Sequence, residues 1–300
     1  MLTGLHFLLT YMCNSECDHC FVYSGPRSRG TFTLEQIRQL LDEAVRMKTI
    51  EWIYYEGGEP FLFYPVMLEG IKMARQRGLK VGIVTNSYFA TDPDDIATWL
   101  KPLCELGIGD FRVSNDPYHY EDYKDNPALR TYKVARKLNL PVGDIHIESP
   151  SVITDTHEET GKGKPIIGGD IRFRGRAVEK LTAGLPLRSW EEFTECPYED
   201  LESPSRVHLD SFGNVHICQG LSMGNCWETP LSELVKSYRA TSHPVCDPLV
   251  KGGPAALARE YRGNHSDGFV DACHFCYLLR LALLDRFPRY LAPRQVYGLE

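Results

Sequence analysis

From residue 4 to about residue 177, short apolar runs alternate with stretches whose apolar residues recur every three or four positions. That alternation is the signature of βα units built around a parallel sheet. The runs predict six strands: Leu5–Tyr11, Trp52–Tyr55, Lys80–Thr85, Asp110–Ser114, Asp144–Glu148 and Ile171–Arg174. Helical periodicity predicts helices over Thr33–Arg46, Tyr64–Arg77, Pro93–Glu105 and Tyr118–Leu138. Thr33 is an N-cap candidate, and Leu34, Ile37, Leu40 and Leu41 repeat along the first helix. The expectation is an α/β chain forming an open, partial (βα)6 barrel.

The stretch Thr154–Gly169 holds four glycines and few apolar residues, and it reads as a loop before the sixth strand. Beyond about residue 185 the periodicity weakens. Arg206–Cys218 then reads as a hairpin turning at Gly213-Asn214, with short helices at Pro230–Ser237 and Tyr277–Phe287. Two units are expected, a barrel over 1–185 and a small cysteine-rich module over 186–300.

Composition changes this picture little. The 300 residues are 43% hydrophobic and 24% charged, ordinary for a globular chain with a substantial core. A net charge of -7 weighs against nucleic acid as the main partner. The first ten residues are apolar but carry no basic flank, so they do not read as a signal peptide, and no run approaches a membrane span of ~18 apolar residues. A cytoplasmic protein is expected.

Ten cysteines in such a chain point to metal rather than to disulfides, because the cytoplasm keeps thiols reduced. Cys104, alone in an apolar helix, reads as a packing residue. Cys13, Cys17 and Cys20 are different: three soft ligands in a C-x3-C-x2-C loop directly after the first strand, offering three corners to a metal or cluster that takes four. A structural zinc completed by His19 is the alternative, although such sites usually pair two C-x2-C halves.

The second strand ends in Glu56-Gly57-Gly58-Glu59-Pro60. Two glycines permit close approach of the backbone, and proline stiffens the exit. With the cysteine loop, this motif resembles the radical S-adenosylmethionine (radical SAM) enzymes. The resemblance implies a 4Fe-4S cluster on Cys13, Cys17 and Cys20 whose fourth iron is chelated by S-adenosylmethionine. One-electron reduction then yields a 5'-deoxyadenosyl radical that abstracts hydrogen from substrate. It also implies that Gly57, Gly58, Glu59 and Pro60 form the part that receives the methionine amino group, and that His19 lies near the adenine.

Polar residues at later strand ends are further cofactor-binding candidates: Asn86, Ser114 and Glu148, each of which could instead cap a helix or turn. Arg172, Arg174 and Arg176 alternate along the sixth predicted strand, so they are expected on one face beside an anion. Arg174 is taken as a cofactor contact.

In the tail, Cys273 and Cys276 have C-x2-C spacing, Cys218 ends the hairpin, and Cys196 precedes it. This set resembles the SPASM and twitch extensions, which implies one auxiliary 4Fe-4S cluster on Cys196, Cys218, Cys273 and Cys276. Four cysteines alone leave zinc open. Cys226 and Cys246 are candidate catalytic thiols, alternative ligands or buried packing residues.

The main functional expectation is hydrogen abstraction with net oxidation, the auxiliary cluster receiving or relaying an electron, with a reductant such as flavodoxin or ferredoxin as a partner. The substrate is a peptide, a sugar or a cofactor precursor. The chain begins at its first strand, so no leader-recognition extension is expected, which weighs against a peptide. Epimerisation with Cys226 or Cys246 as hydrogen donor is the second enzymatic reading. A non-catalytic electron carrier or zinc-stabilised scaffold has no need of the glycine motif.

Overall fold

The computed structural model describes residues 1–122, 124–154, 165–263 and 268–299. Strand β1 (Gly4–Thr10) is followed by α1 (Leu34–Met47), β2 (Trp52–Gly57), α2 (Tyr64–Gln76), β3 (Lys80–Thr85) and α3 (Pro93–Glu105). Then come β4 (Asp110–Ser114), α4 (Pro127–Lys137), β5 (Val142–Ile145), and the separate hairpin β6 (Ser151–Thr154) and β7 (Pro165–Gly168). After α5 (Arg176–Lys180) the chain forms β8 (Arg206–Leu209), β9 (Asn214–Cys218), β10 (Leu221–Asn225), α6 (Leu231–Ser237), α7 (Cys246–Tyr261) and α8 (Ala272–Ala282).

The first five strands pair in parallel in chain order, as the βα alternation predicts. Thr33 caps α1 through a reciprocal box: its hydroxyl accepts from the Gln36 amide (3.2 Å), and the Gln36 side chain accepts from the Thr33 amide (2.9 Å). Ile37, Leu40, Leu41 and Ala44 of this helix are buried, each large one stabilising the fold by about 1.5–3 kcal/mol. Leu34, read as part of that stripe, is exposed. α4 begins nine residues later than Tyr118, because Pro127 is confined to a first helical turn and Asn126 caps it there (2.8 Å to the Leu129 amide).

The sixth parallel strand is β8, from the tail hairpin, which pairs with the free edge of β1. β9 and β10 extend the sheet antiparallel, giving the order β10-β9-β8-β1-β2-β3-β4-β5. The expected strand Ile171–Arg174 joins no sheet. The Arg174 amide donates to the Arg172 carbonyl (2.7 Å), a tight local turn incompatible with a ladder, and Ile171 and Phe173 pack in a separate small cluster with Ala177 and Val270. The loop expected over Thr154–Gly169 also differs in part, since Pro165–Gly168 is β7; residues 155–164 lie outside the described residues.

The tail hairpin turns at Asp210–Gly213, close to the expected place, with Gly213 at φ +92. Two tail helices depart from expectation. α8 starts at Ala272, because Asp271 caps it (2.7 Å to the His274 amide). α7 was hidden by Pro248, Gly252, Gly253 and Pro254, which normally break helices; it kinks at the glycine pair, where Gly253 (φ +61) abuts the Thr194–Glu195 backbone. Among the described residues no helix is long and apolar enough to cross a membrane.

Candidate active site

The cysteine loop leaves the C-terminal end of β1, where ligands gather in parallel α/β sheets. Cys13 is anchored by its amide on the Gly25 carbonyl (3.1 Å), and the Ser24 amide donates to the Cys20 sulfur (3.3 Å). Gly58 sits directly beneath: a Cβ there would lie 2.1 Å from the Met12 carbonyl oxygen, and one on Gly57 (φ +126) 2.4 Å from that of Thr10. The glycine pair is therefore demanded first by the backbone of the cysteine loop itself.

Cys13, Cys17 and Cys20 line one cavity of about 600 Å³, together with Gly57, Gly58, His19, Asn86, Ser114 and Arg174. The Asn86 side-chain Nδ2 donates to the Cys13 sulfur (3.7 Å) and to Asn14 Oδ1 (2.9 Å). Burial pushes the Cys13 and Cys17 thiols up to about 12. Thiols so placed are protonated without a metal, and a bound metal would have to displace those protons.

Glu59 and Pro60 stand behind the lining rather than in it. The Glu59 carboxylate is fully buried and accepts from the Asn86 amide (2.7 Å), the Thr85 hydroxyl (2.8 Å) and the Phe61 amide (2.9 Å). It thus ties β2 to β3, and burial lifts its carboxyl to about 7 against those hydrogen bonds. Pro60 opens a single 3-10 turn over Pro60–Phe63. Glu148 is exposed beyond the end of β5 and does not border the cavity.

His19 packs against Tyr118 in a tilted ring contact (4.6 Å between rings) and lies 3.9 Å from Asp116. Burial lowers it to about 4, so the ring is neutral. Burial opposes ionisation of Asp116, but the His119 ring at 2.8 Å holds it below the usual carboxylate range. His119 was not a sequence candidate; no spacing rule links it to His19, a hundred residues earlier.

The three arginines do not share a face, because no strand carries them. Arg172 and Arg174 both reach Glu199 at 3.3 Å, and Arg174 also donates to the Cys218 sulfur (3.1 Å). Arg176 turns away and clamps the cysteine loop, donating to the carbonyls of Cys17 (2.8 Å) and Ser24 (2.7 Å). Gly175 (φ +62) is required there, since a Cβ would lie 2.4 Å from the Cys20 carbonyl oxygen.

Cys196, Cys218, Cys273 and Cys276 surround a second, tighter cavity that Arg174, Glu199 and Arg280 also line. Cys273 and Cys276 ride on the first turns of α8, and burial raises both thiols, so here too a bound metal would have to displace protons. Arg280 is buried and donates to the Gln219 carbonyl (2.9 Å), placing a second cation beside the sulfurs. Cys226 and Cys246 are buried in the tail core and border neither cavity. The Cys226 amide donates to the Gly213 carbonyl (2.8 Å), and Cys246 is the first residue of α7.

Residues 7–159 match the sequence profile of the Radical SAM superfamily, and the chain belongs to that superfamily. It is a radical SAM enzyme, and membership implies a 4Fe-4S cluster and S-adenosylmethionine. It is similar to YydG of Bacillus subtilis, a protein named for peptide biosynthesis, at 27% identity over 253 residues, covering 83% of this chain and 70% of YydG. It also resembles the tungsten-containing aldehyde ferredoxin oxidoreductase cofactor-modifying protein of Pyrococcus furiosus, 27% identical over 56% of this chain and 42% of that protein. Mycofactocin maturase MftC of Mycobacterium tuberculosis is 40% identical over 52 residues, 17% of this chain and 13% of its own. Among solved structures, BtrN in complex with AdoMet and 2-DOIA superposes with a TM-score of 0.53 at 17% identity, over 84% of this chain and 87% of BtrN, a likeness of fold.

Proposed function

We propose that this enzyme oxidises a peptide, with Cys13, Cys17 and Cys20 holding the 4Fe-4S cluster and Cys196, Cys218, Cys273 and Cys276 holding a second one. The observation that carries this reading is the pairing of two cysteine-lined cavities through one buried guanidinium, Arg174. When bound, the first cluster supplies reductive cleavage of S-adenosylmethionine to methionine and a 5'-deoxyadenosyl radical.

The chain's own residues bind and orient. Gly57, Gly58, Asn86 and Ser114 offer backbone and side-chain polar groups at the strand ends for the amino acid and ribose parts of the cofactor, with Glu59 and Pro60 fixing the glycine loop from behind. His19 offers a neutral ring on the opposite wall. The unit over 1–185 would serve the cofactor and that over 186–300 the second cluster.

Spacing supports iron-sulfur in the tail over zinc. Zinc bonds of about 2.3 Å at tetrahedral angles bring sulfurs to ~3.8 Å of one another. Among the described residues the compact ligand groups, with atoms within 4.8 Å, contain no cysteine. Arg174 and Arg280 beside the tail sulfurs supply charge to balance an anionic cluster.

The oxidation would balance as one hydrogen atom lost from substrate to the 5'-deoxyadenosyl radical, giving 5'-deoxyadenosine, with one electron accepted by the second cluster that Cys196, Cys218, Cys273 and Cys276 would hold and one proton released. An external flavodoxin or ferredoxin would exchange electrons with the enzyme in the cytoplasm. A peptide substrate is supported by the names of YydG and MftC. Epimerisation needs a thiol donor at the cavity, and among the described residues only Cys13, Cys17 and Cys20 bring sulfur there.

The test is anaerobic reconstitution, iron and sulfide analysis, and turnover with S-adenosylmethionine and dithionite. About eight irons per chain and formation of 5'-deoxyadenosine are expected. About four irons would remove the second cluster; no 5'-deoxyadenosine would remove the radical reading. Peptides encoded beside the gene should lose two hydrogens per event, whereas unchanged mass with deuterium uptake from solvent would favour epimerisation.

A further inference from the structure

Three strands bring two imidazoles and a carboxylate together next to the main cavity. His6 on β1 and His208 on β8 are register partners, and Glu56 on β2 lies two residues beyond Tyr54, the partner of His6 on the other side. By the two-residue period of a strand, all three side chains fall on the same face of the sheet. His208 Nε2 lies 2.9 Å and His6 Nδ1 3.1 Å from the same oxygen, Glu56 Oε1. The three ligand atoms all lie within 4.8 Å of one another.

The charge balance of this group is unusual. Glu56 is largely buried, and among the described residues its ion-pair partners are these two histidines alone, with no arginine or lysine. Burial outweighs the pull of Glu56 and lowers His208 below its ordinary value, so it is a neutral ring near pH 7. Burial also opposes the charge on Glu56, but His6 and His208 hold its carboxyl well below the usual range. A neighbouring acid does not compete, since Asp110 is engaged by Arg112 (2.8 Å) and by the Tyr54 hydroxyl (3.0 Å). The result is an ionised carboxylate whose charge is matched by hydrogen bonds and by no permanent cation.

Neutral imidazole and ionised carboxylate are the forms in which these side chains bind metals. Bonds of about 2.1 Å at right angles put adjacent ligand atoms ~3.0 Å apart, close to the two edges seen, and two histidines with one carboxylate are a set that holds iron(II) with open positions. We propose that His6, Glu56 and His208 form a binding site for one first-row divalent cation. Its remaining positions would take oxygen ligands, and because Glu56 borders the main cavity, a carboxylate or carbonyl of a molecule bound there could supply one.

The proposal stands apart from the radical reading, because its readout is metal binding without turnover. Manganese(II) is the probe, since it prefers nitrogen and oxygen to thiolate. It is titrated into the cluster-loaded full chain, and free ion is followed by electron paramagnetic resonance. One saturable site per chain is expected, weakened at least tenfold by Glu56→Gln and His208→Leu, retained by His6→Asp, and unmoved by His119→Gln at the other histidine group. Crystals of the unmodified enzyme soaked in manganese should show anomalous density between the three side chains, which decides the matter if a variant fails to fold. No saturable binding, binding indifferent to Glu56→Gln and His208→Leu, or no density at the trio would overturn the proposal and leave a hydrogen-bonded cluster.

Discussion

The guanidinium of Arg174 donates to the sulfur of Cys218 across 3.1 Å while also bordering the cavity that Cys13, Cys17 and Cys20 line. It is buried; burial works against its charge, but Cys218, Glu199 and Cys273 hold it protonated. A fixed cation at that place favours the more negative state of whatever the sulfur ligates. Arg174→Gln is therefore expected to lower the reduction potential of the cluster proposed for the tail cysteines. A charge-assisted hydrogen bond is worth about 1.5–3 kcal/mol, an upper bound of roughly 130 mV for a one-electron couple. Redox titration followed by electron paramagnetic resonance measures it; an unchanged potential with lowered thermal stability would reduce Arg174 to a structural role.

Gly58→Ala should separate the glycine loop from the cysteine loop. The added Cβ would meet the Met12 carbonyl at 2.1 Å, and backbone on both sides leaves no flexible side chain to yield. A loss of about 1–3 kcal/mol in stability is expected, as for other overpacked sites, with less iron retained after reconstitution. Urea unfolding and iron analysis on the same preparation test both effects together.

Glu59 makes stability depend on pH in a direction its burial sets. Its folded-state carboxyl is raised to about 7 from an ordinary 4.5, so the folded chain binds more protons than the unfolded one between those values. Its contribution is most favourable below about pH 4.5 and is lost as pH rises through about 7. Glu59→Gln should flatten the fall in melting temperature between pH 5 and 8, although it costs about 1–2 kcal/mol by leaving a backbone donor such as the Asn86 amide unpaired. Parallel melting curves of both proteins across that range would expose an unchanged slope.

Asp210 organises the hairpin that completes the sheet. Its fully buried carboxylate accepts from the Tyr11 hydroxyl (3.0 Å), from Asn214 through both amide and side chain (2.9 Å each), and lies 3.1 Å from His216 Nε2. Asp210→Ala strands these partners, and about 3 kcal/mol or more of stability should go with it. Loss of less than 1 kcal/mol in urea unfolding would show that water replaces the carboxylate there.

Local signals were enough for the βα order, the Thr33 cap, the cysteine loop and the hairpin at Gly213, because each depends on neighbours within a few residues. The same rules misread Ile171–Arg174, whose alternating pattern looks like a strand although a turn at Arg172 removes it from the ladder. They missed α7, whose glycines serve a kink rather than a stop.

Taken alone, the sequence determined the chemistry available: which residues are soft ligands, how they are spaced, and where a glycine pair follows the second strand. Only the tertiary structure decided which distant groups meet. It paired β8 with β1, set His6 and His208 against Glu56, and turned Arg174 toward the tail cysteines but Arg176 toward the first loop. The reason is physical: spacing along a chain controls contacts within one element, while contacts between elements depend on how a long chain closes upon its core, and no local periodicity records that closure.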